Sequence, residues 1–133
     1  MSWLLQRVDD RLIHGQVVVA WGGRMHPERI WVVDERAAAN PWEKDLLASA
    51  APGAEGRVVT VAAMAAAWPG EDRAPGGAFL LVRDLATALA LVEAGANVRR
   101  WNLGGLHHSP GKTKVNEYIY LDDGDRARAR SLL

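Results

Sequence analysis

The chain has 133 residues, 49% of them hydrophobic, with no cysteine and sixteen basic residues balanced by sixteen acidic ones. That length suits one compact domain over residues 1–133, and the composition excludes a disordered or fibrous chain. A formal net charge of zero gives no global field to gather nucleic acid, and no apolar run reaches the roughly 20 residues of a membrane span.

In chain order, short apolar runs alternate with stretches long enough for helices, the pattern of a parallel sheet. Six strands are predicted: Trp3 to Val8, Arg29 to Val33, Arg57 to Val61, Ala78 to Val82, Asn97 to Leu103 and Val115 to Leu121. Helices are predicted over Gln16 to Met25, Pro41 to Ala50, Ala62 to Trp68 and Leu85 to Ala94, with a last one from Asp123 or Asp125. Asn40-Pro41 and Asp84 are start signals and Gly95 a stop. Pro69 to Gly77 reads as a surface turn, and the six tryptophans mostly fall at core-like positions. The ten residues from Gly104 to Thr113 are too short for a parallel crossover, so the sixth strand is expected to run antiparallel. The expected fold is therefore α/β, an open, twisted, mostly parallel sheet of about six strands with helices on both faces. The opening lacks a secretory signal, which points to a cytoplasmic location.

In such sheets ligands bind outside the carboxyl ends of the strands. The first of these loops reads Asp9-Asp10-Arg11-Leu12-Ile13-His14-Gly15-Gln16 and gathers carboxylates, a guanidinium and an imidazole into one turn. His14 offers a nucleophilic nitrogen, and Arg11 offers planar donors for phosphate oxygens. Gly15 and Gln16 open a helix whose unpaired N–H groups favour an anion. These residue types describe a phosphohistidine site, with Asp9 or Asp10 as the carboxylate that orients the ring or pairs with Arg11. The same residues also suit an ordinary histidine at a helix start beside a surface ion pair. His107 and His108 with His14 make a poor metal set, because adjacent histidines point apart and no acidic ligand joins them at a suitable spacing. Gly104-Gly105 and Gly111-Lys112-Thr113 lack the spacing of a nucleotide-phosphate loop.

Several stretches together resemble the IIB component of the mannose/fructose/sorbose family of the bacterial phosphoenolpyruvate-dependent sugar phosphotransferase system. They are Arg7-Val-Asp-Asp-Arg-Leu-Ile-His-Gly-Gln-Val-Val-Val-Ala-Trp21, Arg29-Ile-Trp-Val-Val-Asp34 and Lys44-Asp-Leu-Leu-Ala-Ser-Ala-Ala-Pro52, then Leu80-Leu-Val-Arg-Asp84 with Ala88-Leu89 and Leu91-Val-Glu-Ala-Gly95, and finally Asn102-Leu-Gly-Gly-Leu-His-His108 with Gly111-Lys112. The resemblance implies a phosphocarrier that needs no cofactor and no metal. His14 would accept a phosphoryl group from a phosphohistidine on a IIA partner and pass it to a sugar held by a IIC/IID membrane permease. Arg11 would stabilise the transferring group, and Gly15 and Gln16 would surround it. Asp10, Asp34, Arg83, Gly105 and His107 would form a docking rim, and the chain would sit at the membrane only through the permease. Family members usually continue past the last helix into a further strand, whereas this chain stops at Arg130-Ser131-Leu132-Leu133. Two other readings fit the residues: a regulatory module phosphorylated on the same histidine, and a small-molecule phosphatase or mutase with a phosphohistidine intermediate.

Overall fold

A computed structural model describes residues 3–12, 25–50, 53–107, 109–116 and 119–133. Five strands, β1 (Trp3–Val8), β2 (Arg29–Val33), β3 (Glu55–Val59), β4 (Ala78–Val82) and β5 (Asn102–Leu103), form a sheet in the order β3-β2-β4-β1-β5. Every pairing in it is parallel. The described helices are α1 (Glu35–Ala39), α2 (Pro41–Ala48), α3 (Val61–Arg73), α4 (Leu85–Glu93) and α5 (Asp123–Leu132).

The strand order explains why helices cover both faces. Right-handed crossovers that step in one direction along a sheet lie on one face, and those that step back lie on the other. The step from β2 to β3 carries α1 and α2, and the steps from β3 to β4 and from β4 to β5 carry α3 and α4. The side chains divide accordingly. Trp31, Val33, Ala78, Leu80 and Val82 pack with Met64 and Trp68 of α3 and with Leu85, Ala88 and Leu91 of α4. Ile30, Val32, Phe79 and Leu81 pack with Ala37 of α1 and with Leu47 and Ala48 of α2. Alternation in β2 and β4 thus feeds two cores, and all five residues of β4 are buried.

Capping residues set the helix starts. Asp34, Asn40, Thr60 and Asp84 each accept a backbone N–H from the first turn of α1, α2, α3 and α4, as Asn40-Pro41 and Asp84 predict. Gly95, at φ 112°, follows the end of α4 in the left-handed region.

Three expectations are corrected. α3 does not stop at Trp68 but runs through Pro69 to Arg73. Trp68 stacks on Trp3 at 4.6 Å and Glu71 pairs with the half-buried Arg29, so contacts on the buried face outweigh the proline. The fifth strand shrinks to two residues, because Asn97, Arg99 and Arg100 are exposed and β5 pairs with β1 only at Arg7 and Val8. Among the described residues, β1 from Trp3 to Gln6 therefore has a neighbouring strand on one side alone, and a cleft of about 640 Å³ lined by Trp3, Gln6, Trp68, Arg73, Arg99 and Arg100 opens beside it. The sixth strand is instead an antiparallel hairpin, β6 (Thr113–Asn116) with β7 (Ile119–Leu121), outside the main sheet. The Asn116 side chain accepts the Ile119 N–H at 3.0 Å, and the only tie of this hairpin to the preceding loop among described bridges is a parallel one from Ile119 to Leu106. Of the described tryptophans, Trp3, Trp31 and Trp68 lie in the core as expected, while Trp42 on α2 is 74% exposed.

Candidate functional site

The loop after β1 is built on one buried carboxylate. Asp9 has no exposed surface, and its backbone N–H donates to Val82 O of β4 at 2.9 Å. Burial of an ionised carboxylate is costly unless cations and donors surround it. Among the described residues Asp9 meets the following groups. Arg7 donates from Nε to Oδ2 at 3.3 Å, the Arg11 backbone N–H donates to Oδ1 at 3.0 Å, and the Arg11 guanidinium donates from Nε to Oδ1 and from Nη2 to Oδ2, each at 3.3 Å. The paired bonds fix both the position and the plane of the Arg11 guanidinium. The loop tightens further where Leu12 N–H donates to Asp9 O at 3.0 Å. Leu12 itself is buried at φ 56°, a left-handed conformation that costs a leucine about 1–2 kcal/mol and is held by its core packing.

Arg7 is held from the other side by Asn102 of β5, whose side-chain oxygen accepts Nη1 at 2.6 Å. The guanidinium of Arg7 lies against Gly104, where an added Cβ would stand 2.5 Å from Nε. Arg7, Arg11, Leu103, Gly104, Gly105, Asn116 and Ile119 line a cavity of about 100 Å³, with two guanidinium groups and two side-chain-free backbone positions at its wall.

Asp10 turns to a different partner. Its Oδ2 accepts the His107 backbone N–H at 2.8 Å and its Oδ1 lies 2.5 Å from His107 Nδ1, while its own N–H donates to Gly105 O at 2.9 Å. For Arg11 the choice between the two aspartates falls on Asp9, while Asp10 holds His107; the carboxylate expected to orient His14 is a question that lies outside the described residues. A Cβ on Gly105 would lie 3.2 Å from Arg11 Nη2 and 3.3 Å from both Asp9 Oδ1 and His107 Cε1, so the absence of a side chain lets these groups converge.

Asp34 and Arg83 form a second pair at the carboxyl ends of β2 and β4. Arg83 donates from Nε to Asp34 Oδ1 at 3.1 Å and from Nη2 to Asp34 Oδ2 at 3.2 Å, and also reaches Glu43 at 3.3 Å. The hydrogen bond to Asp34 holds the Arg83 guanidinium above its ordinary pKa, against the opposing effect of burial. Asp34 also caps α1 by accepting Ala37 N–H at 3.0 Å. Of the sequence candidates, then, Arg11, Asp10, Gly105 and His107 come together, and Asp34 and Arg83 form a neighbouring group. His14, Gly15, Gln16, most of the helix predicted over Gln16 to Met25, and His108 lie outside the described residues. Among the described residues no three metal-ligating side chains meet, and no helix is long and apolar enough to cross a membrane.

Sequence reasoning assigns no site role to Arg7 or Asn102, and weighs Gly104 only as part of a nucleotide-phosphate loop that the spacing excludes. The available signal was Arg7 itself, a cation inside a mostly apolar strand that must find a buried partner.

Comparison with known proteins matches this geometry to a family. Residues 3–132 match the model of the PTS system sorbose subfamily IIB component. The sorbose-specific EIIB component of Lacticaseibacillus casei is 33% identical over 129 residues, covering 96% of this chain and 79% of that protein. The mannose-specific EIIAB component of Escherichia coli K12 is 38% identical over 122 residues, and there the match covers 91% of this chain but only 38% of the relative's length. Among solved structures, the N-acetylgalactosamine-specific IIB component 1 of Escherichia coli superposes with a TM-score of 0.89 at 32% identity, covering 98% of this chain and 86% of that one. The IIB domain of the Klebsiella pneumoniae sorbose permease gives 0.87 at 30% identity, covering 99% and 82%. With a family model matched over almost all of its length and an α/β sheet shared with solved members, this chain belongs to the sorbose subfamily of PTS IIB components, a family of phosphotransferases.

Proposed function

We propose that residues 1–133 form a single IIB-type phosphocarrier unit that accepts a phosphoryl group on His14 from a IIA-type donor and delivers it to a sugar at a IIC/IID permease. The observation that carries this reading is the fork between Asp9 and Arg11, which fixes a guanidinium at the carboxyl edge of the sheet three residues before His14. Phosphoryl transfer requires alignment and charge stabilisation more than covalent machinery from the protein. Arg11 supplies positive charge for the equatorial oxygens, and Arg7, bound to the same Asp9 carboxylate and lining the same cavity, adds to that field. The naming of the mannose relatives as EIIAB components supports a IIA donor for this chain as well. The sugars in the relatives' names, mannose, sorbose, fructose and N-acetylgalactosamine, make a hexose or hexose derivative the substrate class. Such a carrier works on the cytoplasmic side, meeting the membrane only through the permease. Asp34, Arg83 and the exposed Trp42 beside Glu43 then belong to the rim that partners touch.

The test is direct. Incubation with phosphoenolpyruvate and the upstream phosphotransferase proteins places one acid-labile phosphate on the chain, and His14→Ala abolishes it. Arg11→Lys, which loses the planar fork, slows labelling by about 10²-fold. Label that survives His14→Ala overturns the assignment.

A further inference from the structure

We propose, resting on the phosphocarrier reading, that His107 is the base that takes the proton of the sugar hydroxyl when His14 discharges. The two halves of the relay differ in one chemical respect. In charging, an imidazole nitrogen attacks phosphorus with its lone pair while the donor's N–P bond breaks. Each ring keeps its N–H on the non-reacting nitrogen, so no proton changes place. In discharge the attacking atom is a hydroxyl oxygen. The O–P bond forms, the electron pair of the N–P bond returns to His14, and the hydroxyl proton must leave. A site serving both halves therefore needs a proton acceptor for only one of them.

The loop from β5 supplies one. Asp10 grips His107 twice, accepting its backbone N–H at 2.8 Å and facing Nδ1 at 2.5 Å. Nδ1–H donation to the carboxylate leaves the lone pair on Nε2, the arrangement of a carboxylate-oriented base. The ring also stands beside Arg11, the cation assigned above to the phosphoryl oxygens. His107 Cε1 and Arg11 Nη2 lie 3.3 and 3.2 Å from the same point above Gly105, and Nε2 is one bond from Cε1. The His107 side chain is 59% exposed, so the ring is open to an incoming hydroxyl and hands a proton taken from it on to water. Asp10 is the positioning residue in this scheme and His107 the catalytic one.

The experiment separates the two halves. Wild-type chain, His107→Gln, His107→Ala and Asp10→Asn are charged by the IIA donor, and each charged protein is then mixed with membranes carrying the cognate permease and, in turn, mannose, fructose, sorbose or N-acetylgalactosamine. Loss of His107 is expected to lower the ratio of discharge rate to charging rate by about 10²-fold. Asp10→Asn lowers it by about tenfold, a part of that effect, since the base stays but its orientation weakens. Added imidazole restores sugar phosphate formation in His107→Ala, a rescue that a packing role does not give. Discharge at the wild-type rate in His107→Gln overturns the proposal, as does a parallel fall in both half-reactions. A wild-type chain that takes no label overturns the phosphocarrier reading itself, so the two failures are told apart.

Discussion

Replacing Gly104 with alanine would place a methyl carbon 2.5 Å from Nε and 2.6 Å from Cζ of Arg7. That guanidinium cannot swing aside cheaply, because Asn102 and the fully buried Asp9 both hold it. Its displacement leaves Asp9 short of a cation, and Asp9 is the group that sets Arg11. Gly104→Ala should therefore cost about 2 kcal/mol of stability, the scale of a disturbed buried polar contact, and also slow phosphorylation without touching the acceptor. Chemical denaturation and a labelling time course check the two parts. At this scale the sequence shows which residue types gather but not their pairings. Asp9 and Asp10 are adjacent and chemically identical, and the difference arises because side chains of neighbouring residues at the end of a strand point to opposite sides. Only the fold brings His107 within reach of one of them.

Among the elements, α5 has the most polar start. The Asp122 carboxylate accepts Asp125 N–H at 2.7 Å while the Asp125 side chain accepts Asp122 N–H at 3.1 Å, closing a reciprocal cap. The Asp125 N–H and, after it, the charges of Lys112 and Arg128 hold the Asp122 carboxyl below its ordinary value of 3.8. A lowered folded-state pKa gives stabilisation that is full above the ordinary value and is lost as pH falls through the lowered one. Wild type should consequently lose more Tm than Asp122→Asn when pH drops from about 5 to 2.5, since asparagine caps without titrating. Thermal unfolding followed by circular dichroism at a series of pH values measures it. Caps of this kind made α2, α4 and α5 legible from local chemistry. α1 was missed because five residues carry no usable periodicity, and α3 was cut short at Pro69 because the contacts of Trp68 and Glu71 come from β1 and β2, distant in sequence.

Over the whole molecule, β4 joins the two cores, and Phe79 is fully buried on the face of α1 and α2. Phe79→Ala should cost about 3–5 kcal/mol by transfer and cavity terms, whereas Trp42→Ala, at an exposed ring, should stay within about 0.5 kcal/mol. Urea titration of both variants decides it. The parallel α/β plan was readable because both faces of each strand must be apolar when helices lie on each side, and the continuous run Ala78 to Val82 states this directly. The hairpin was not, since Val115 to Leu121 reads like one sheet strand and nothing local says that Ile119 to Leu121 pair back on Thr113 to Asn116. The charge beside β1 has a consequence for self-association. A sheet edge is a template on which a second molecule can zip, and proteins blunt such edges with charge. Here the guanidinium groups of Arg73, Arg99 and Arg100 outweigh the carboxylate of Asp72 around the opening, so a two-fold copy brought up to that flank would meet like charge, and the repulsion disfavours fibre-like stacking.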